Sequence, residues 1–208
     1  MEKIHLDGYR QFKTEYVKAN QELFTELGKG QSPHTMVITC SDSRVKPGII
    51  LGAKPGDLFV VENIGNMVPT YDSLIGDSTQ AAVEYGVAAL KVEHLIILAH
   101  SSCGACAHLY HEHQEGEPEL IHVDKWLEQL QPAKQVSILE IQANGGKNRS
   151  EITEKNNLIL SLARLMTYPY IVEAIENGKL TIHGWWYHVG TGAIEVYNQS
   201  NKTFSKVQ

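Results

Sequence analysis

A chain of 208 residues, 42% hydrophobic and 20% charged, is long enough for one α/β domain with a substantial core and too balanced for extended disorder. Its formal net charge of −6 repels polyanions, which argues against nucleic acid or an anionic membrane as partner, and no apolar run approaches the roughly 20 residues of a membrane span. Met1 to Arg10 lacks the basic flank and apolar core of a signal peptide, and three cysteines do not make a disulfide framework, so the expectation is a soluble protein of a reducing, cytoplasmic compartment.

From Leu6 to Lys29, apolar residues recur loosely at helical spacing among charges, which predicts a surface helix or helix pair ended by Gly28 and Gly30. Such an arm could pack on its own domain or reach a second subunit. Thr35 to Thr39 is a short β-prone run that stops at Cys40, and Pro47 and Gly48 open a short helical segment. Lys54-Pro55-Gly56-Asp57 is a turn before a second buried strand, Leu58 to Val61. A loop follows over Asn63-Ile64-Gly65-Asn66 and Pro69, and Asp77-Ser78-Thr79 starts a helix that runs through Tyr85 to Leu90. His94 to Ala99 is the third and most apolar strand.

Gly104 to about His113 reads as helical and Glu115 to Glu119 as a polar loop. Val123 to Leu130 and Lys134 to Ala143 are amphipathic, Thr153 to Met166 is a helix, and Ile171 to Glu176 is a shorter successor. A final long strand spans Leu180 to Val189 and turns at Gly190-Thr191-Gly192 into Ala193 to Tyr197. Strands alternating with helices predict an α/β fold: a mostly parallel central sheet flanked by helices, with an N-terminal helical arm and a long C-terminal strand. The chain reads as a single domain over 1–208, with the arm at 1–30 and the α/β core at 35–190.

Two stretches carry the chemistry. Cys40-Ser41-Asp42-Ser43-Arg44 and His100-Ser101-Ser102-Cys103 each begin at the C-terminal end of a buried strand, where ligands gather in such sheets. Two thiolates and one imidazole suit Zn²⁺ and leave its fourth tetrahedral position open, the mark of a catalytic rather than a closed structural site. A water there can have its pKa lowered toward about 7, which points to a zinc hydrolase or hydratase. On a turn after a strand, Asp42 can aim at the open position while Arg44 holds its carboxylate in a bidentate pair. Cys106 could compete as a ligand, but its place in a helical turn reads as packing.

These motifs, with Asn63-Ile64-Gly65-Asn66 and Ala82-Val83-Glu84-Tyr85, resemble those of β-class carbonic anhydrases, and the likeness runs from about residue 5 to the Thr181–Trp185 strand. The resemblance implies one Zn²⁺ per chain on Cys40, His100 and Cys103, with the Asp42–Arg44 pair orienting the fourth ligand. It implies reversible hydration of CO₂ to bicarbonate and a proton by zinc-bound hydroxide, in a homodimer or dimer-based tetramer. Gln31 falls where plant-type members carry a glutamine that hydrogen-bonds the substrate oxygen. Phe59, Ile64 and Tyr85, with Gly104, fall where that branch lines its narrow apolar pocket, partly from the partner subunit.

Val37 and Glu62 replace the tryptophan and arginine of the bicarbonate-inhibited branch, which argues against its inhibitory anion site here. Glu62 reverses a charge expected near the subunit interface, Thr39 replaces a small residue before the first zinc cysteine, and Ser161 stands where glutamine is frequent. Two other readings keep the zinc site: a hydrolase of carbonyl sulfide or carbon disulfide, and a non-catalytic zinc-binding homologue. A redox reading is weaker, because no Gly-X-Gly-X-X-Gly follows the first strand and Cys103-Gly104-Ala105-Cys106 would use a proposed ligand. Among His34, His108, His111, His113 and His122, none is singled out as a proton shuttle.

Overall fold

The structure, a computed structural model, describes residues 2–72, 74 and 76–207. Met1, Ser73, Ile75 and Gln208 lie outside the described residues, as does part of the loop expected before Asp77. Contacts divide the chain into two compact units, Met1–Ser32 and Pro33–Gln208.

In the first unit, α1 (Glu2–Gln11) continues through a wider π-type turn at Phe12–Val17, and α2 (Gln21–Leu27) follows. Phe12, Tyr16 and Phe24 draw these segments together with ring centroids 5.7, 5.8 and 6.1 Å apart. None of the described residues in this unit is buried, and Val17, Leu23, Phe24 and Leu27 are half-buried.

The second unit is built on a six-stranded sheet. In chain order its elements are β1 (Thr35–Cys40), α3 (Pro47–Ile50), β2 (Leu58–Asn63), α4 (Ser78–Glu84), β3 (His94–His100) and α5 (Gly104–His108). Then come α6 (Ile121–Leu127), α7 (Gln131–Ala143), α8 (Arg149–Leu165), α9 (Pro169–Glu176), β4 (Thr181–Tyr187), β5 (Ile194–Asn198) and β6 (Thr203–Lys206). The strand order is β2-β1-β3-β4-β5-β6. β2, β1, β3 and β4 are parallel, whereas β5 and β6 add on antiparallel, so the sheet is mixed.

Alternation along β1 and β3 explains the core. Met36, Ile38, Leu95 and Ile97 point to one face and pack under Leu158, Leu162 and Leu165 of α8. Val37, Ile96 and Leu98 point to the other and meet Val45 with Ile50 and Leu51. Both strands are buried along nearly their whole length, as a continuous apolar run in a parallel sheet requires. α4 is capped as its sequence predicts: Asp77 accepts from the amides of Thr79 at 2.8 Å and Gln80 at 2.9 Å.

Three of the boundaries that differ from the expectation have local causes. α5 stops at His108 rather than His113, because its last turn tightens through Tyr110 N–H to Ala107 O and His111 N–H to His108 O. His108 and His111 then bond acidic side chains outside the helix, Asp124 at 2.7 Å and Glu117 at 2.6 Å. The last long strand ends at Tyr187, where His188 N–H to Ala193 O closes the turn, and the chain returns as β5 and a further strand, β6. α8 begins at Arg149, one turn before Thr153, whose hydroxyl bonds back to Arg149 O at 2.8 Å.

Gly184 on β4 sets how closely α8 approaches the sheet. A Cβ there would lie 2.6 Å from Leu158 Cδ2 and 2.7 Å from Leu162 Cδ1. Gly184→Ala should therefore lower stability by about 1–3 kcal/mol, through overpacking of a filled core. Chemical denaturation measures this, and an unchanged midpoint would show that α8 can retreat at no cost.

Candidate metal centre

The parallel register pairs Thr39 with Leu98, so the ends of β1 and β3 lie side by side and bring Cys40 next to His100. The chain then turns through Ser101 and Ser102, and Cys103 forms the N-cap of α5. Cys40 Sγ, Cys103 Sγ and a His100 ring nitrogen all lie within 4.8 Å of one another, and all three residues are buried. Tetrahedral zinc with bonds of about 2.0–2.3 Å sets its ligands about 3.3–3.8 Å apart, so these atoms need only small inward shifts to hold such an ion.

The imidazole supports that fit. His100 Nδ1 lies 3.0 Å from Ser101 O, which directs that nitrogen to donate and leaves Nε2 as the acceptor. Nε2 is buried without a hydrogen-bond partner. A buried polar nitrogen is costly to leave unmatched, and a cation between it and the two sulfurs would satisfy it.

Without a cation the thiols resist ionisation. Cys40 is pushed up to about 12, chiefly by its hydrogen bond with the Cys103 thiol and then by burial. Cys103 is also pushed up to about 12, first by its bond with Cys106. Cys106 is thus a buried neighbour of a ligand sulfur, and Asn157 Nδ2 lies 3.9 Å from its own sulfur. It is not part of the three-residue group, in keeping with its reading as packing.

Asp42 and Arg44 stand beside this group. Arg44 Nε donates to Asp42 Oδ1 at 2.9 Å and Nη2 to Oδ2 at 2.7 Å, with the Arg44 amide adding a bond to Oδ1 at 3.0 Å. Asp42 Oδ2 is 3.9 Å from His100 Nε2. The guanidinium holds the carboxyl well below the usual carboxylate range. Because the folded pKa is depressed, the pair's contribution to stability is present above the ordinary Asp value and is lost only as strong acid protonates the folded state.

The other predicted residues fall in different places. Ile64 follows β2, is exposed, and its carbonyl accepts from Trp126 Nε1 at 2.8 Å. Gly104 opens α5 with open space where a Cβ would be. Phe59 and Tyr85 pack together at 6.0 Å, but Phe59 pairs with Met36, four residues along β1 from Cys40. At about 3.3 Å per residue that is about 13 Å away, so the Phe59–Tyr85 pair does not line its own chain's centre. Gln31 is exposed and belongs to the N-terminal unit.

The unusual residues have local partners. Thr39 is fully buried and its hydroxyl donates to Leu98 O at 2.9 Å, locking β1 to β3 one residue before Cys40. Glu62 pairs with Lys46 at 3.2 Å. Ser161 joins Asn66 O and the Val68 amide to α8. One residue that the sequence did not single out also reaches the centre: Glu154 Oε1 accepts the Cys103 amide at 2.9 Å, while its Oε2 accepts Trp186 Nε1 at 3.1 Å.

Residues 35–194 match the protein family described as carbonic anhydrase. The chain belongs to the β-carbonic anhydrase family. It is 37% identical to a carbonic anhydrase of Helicobacter pylori over 204 residues, 97% of this chain and 92% of that protein. Its fold superposes on the β-carbonic anhydrase CcaA with a TM-score of 0.92 at 32% identity, covering 100% of this chain and 92% of the other. A structure of tetrameric β-carbonic anhydrases from Sordaria macrospora gives a TM-score of 0.82 at 33% identity, with 94% and 97% covered. The family match and the relatives make this protein a carbonic anhydrase, with Cys40, His100 and Cys103 grouped so that they can bind a metal.

Metal uptake by this carbonic anhydrase, with Zn²⁺ as probe, should release about two protons per ion, since both raised thiols must ionise to ligate. Affinity should therefore fall as pH falls. Calorimetry in buffers of different ionisation enthalpy counts the protons, and release of none would show that the thiols are already ionised.

Proposed function

We propose that the protein binds one Zn²⁺ through Cys40, His100 and Cys103 and catalyses the reversible hydration of CO₂ to bicarbonate and a proton. The observation that carries this reading is the pairing of a buried Cys/His/Cys group with an Asp42 whose two oxygens are both held by Arg44. A purely structural site has no use for that pair. Bound Zn²⁺ supplies Lewis-acid activation of water near neutral pH.

The chain's own residues do the rest. Asp42, kept ionised by Arg44, is acceptor-only, so its Oδ2 accepts the O–H of the attacking water and orients the lone pair toward the substrate carbon. Arg44 is itself anchored, since Nη2 also donates to Ser102 O at 3.0 Å. The Gln31 amide donates to the developing oxyanion. Ile64 and Gly104 border the apolar space for a linear, uncharged substrate, and Phe59 and Tyr85 of a second subunit complete it.

That last assignment makes the enzyme a homodimer or a dimer-based tetramer. Its support is the separation of Phe59 from Cys40 along the sheet, the exposed apolar residues Ile4, Tyr9 and Phe12 on the arm, and the tetrameric Sordaria relatives. Ligand thiols that must stay reduced suit a cytoplasmic setting. Light scattering should give a mass of two chains or an even multiple, and a single-chain mass at assay concentration would overturn the shared pocket.

Stopped-flow CO₂ hydration by the zinc-loaded protein tests the activity. Asp42→Asn should lose at least about 100-fold in kcat while keeping its zinc, because an amide has one acceptor oxygen and its NH₂ cannot accept. A variant as active as the parent would refute the role given to the pair. Sulfide released faster from carbonyl sulfide or carbon disulfide than CO₂ is hydrated would move the substrate to the sulfur compounds.

A further inference from the structure

We propose that Glu154 is a positioning residue for the metal centre, its carboxylate fixing the Ser102–Cys103 turn so that Cys103 Sγ stays directed at Cys40 and His100. This rests on reading the group as a zinc site.

The turn needs holding. Ser102 has φ +56°, in the left-handed region that side-chain-bearing residues rarely adopt, and such a residue persists only where its surroundings over-determine it. Two charged groups grip it, one from each side in the sequence. Arg44 Nη2 donates to Ser102 O at 3.0 Å. Glu154 Oε1 accepts the Cys103 amide at 2.9 Å, and the Ser102 amide also bonds to this carboxylate. Its other oxygen accepts Trp186 Nε1 at 3.1 Å.

Glu154 is 1% exposed on α8, the longest helix described and the one packed on β3 and β4. A buried glutamate on such a helix is expensive, and none of the ion pairs among the described residues includes it. Lys155 beside it pairs with Glu151 and Glu195 instead. Burial pushes the Glu154 carboxyl up, while the Cys103 amide, the Trp186 indole and the Ser102 amide oppose that rise. All three are N–H donors, and only the ionised carboxylate accepts at both oxygens without turning an O–H toward one of them. The group is thus built as an acceptor, hydrogen-bonded to the backbone of a ligand residue.

Glutamine is nearly the same size but must set its NH₂ against the indole or the turn amides. The zinc-loaded wild type and Glu154→Gln are diluted into a chromophoric chelator and zinc release is timed. Glu154→Gln should release zinc about 10–100-fold faster, the usual cost of removing a partner of a metal ligand. In Glu154→Gln/Trp186→Phe the amide NH₂ no longer faces an indole N–H, so release should return toward that of Trp186→Phe alone. A packing role would instead lower the unfolding midpoint of the apo-protein and leave zinc release untouched.

Should Glu154→Gln fail to fold, Glu154→Asp keeps an ionised acceptor one methylene short and should release zinc several-fold faster than wild type. A wild-type release rate in either folded variant overturns the role of Glu154 and leaves the zinc reading intact. A wild type that holds no zinc overturns both.

Discussion

The centre depends on the register between β1 and β3. Parallel pairing of Thr39 with Leu98 is what makes the two strands end side by side, and a slip of two residues would carry Cys40 about 6.6 Å from its place beside His100. Apolar burial on both faces holds that register, since a one-residue slip would turn every side chain of β1 to the wrong face. The Thr39 hydroxyl on Leu98 O adds a specific bond at the last position before the ligands. A small residue at 39 would fit the space but would not hold the strand ends this way.

Beyond the strand ends, loop backbone does the aiming. The Gly65 amide reaches the Cys40 sulfur, and Gly65 has φ +83°, with Ala105 Cβ only 3.0 Å from where its own Cβ would stand. Its carbonyl is tied to Asn157 Nδ2 at 2.7 Å. Asn63 bonds Met67 through both its amide oxygen and nitrogen, closing the same loop. The Asn-Ile-Gly-Asn stretch is therefore a support for the first sulfur, and α8 is the beam to which both that loop and the Cys103 turn are fastened.

Much of this is legible in the sequence because the residue types are scarce and their places telling. Cysteine and histidine at the ends of apolar runs, with Asp and Arg two and four positions after the first cysteine, leave few chemical readings. The parallel sheet follows from the same runs. Glu154 was not legible: it lies 51 residues from Cys103, in a polar helix turn where glutamate ordinarily faces water. Only the packing of α8 on β3 and β4 turns it inward. The length of α5 escaped for a related reason, since His108 and His111 suit a helix but are drawn to Asp124 and Glu117. β6 is short and alternates weakly, so nothing local separates it from a polar tail.

The two carboxylates near the centre show how environment divides one chemistry into two. Asp42 is half a step from solvent and bonded to a guanidinium, so its charge is neutralised by a partner and stays put across the neutral range. Glu154 is buried with no cation and is held only by N–H dipoles, which can stabilise a carboxylate but cannot cancel its charge. A divalent ion on two thiolates is neutral as a unit, and so is Asp42 with Arg44. Glu154 has no such partner: its oxygens accept the Cys103 amide and the Trp186 indole, which fasten the turn before α5 to α8 and β4. The thiols by themselves are kept protonated by their mutual hydrogen bonds and by burial, so in this fold a cation and the thiolates come together.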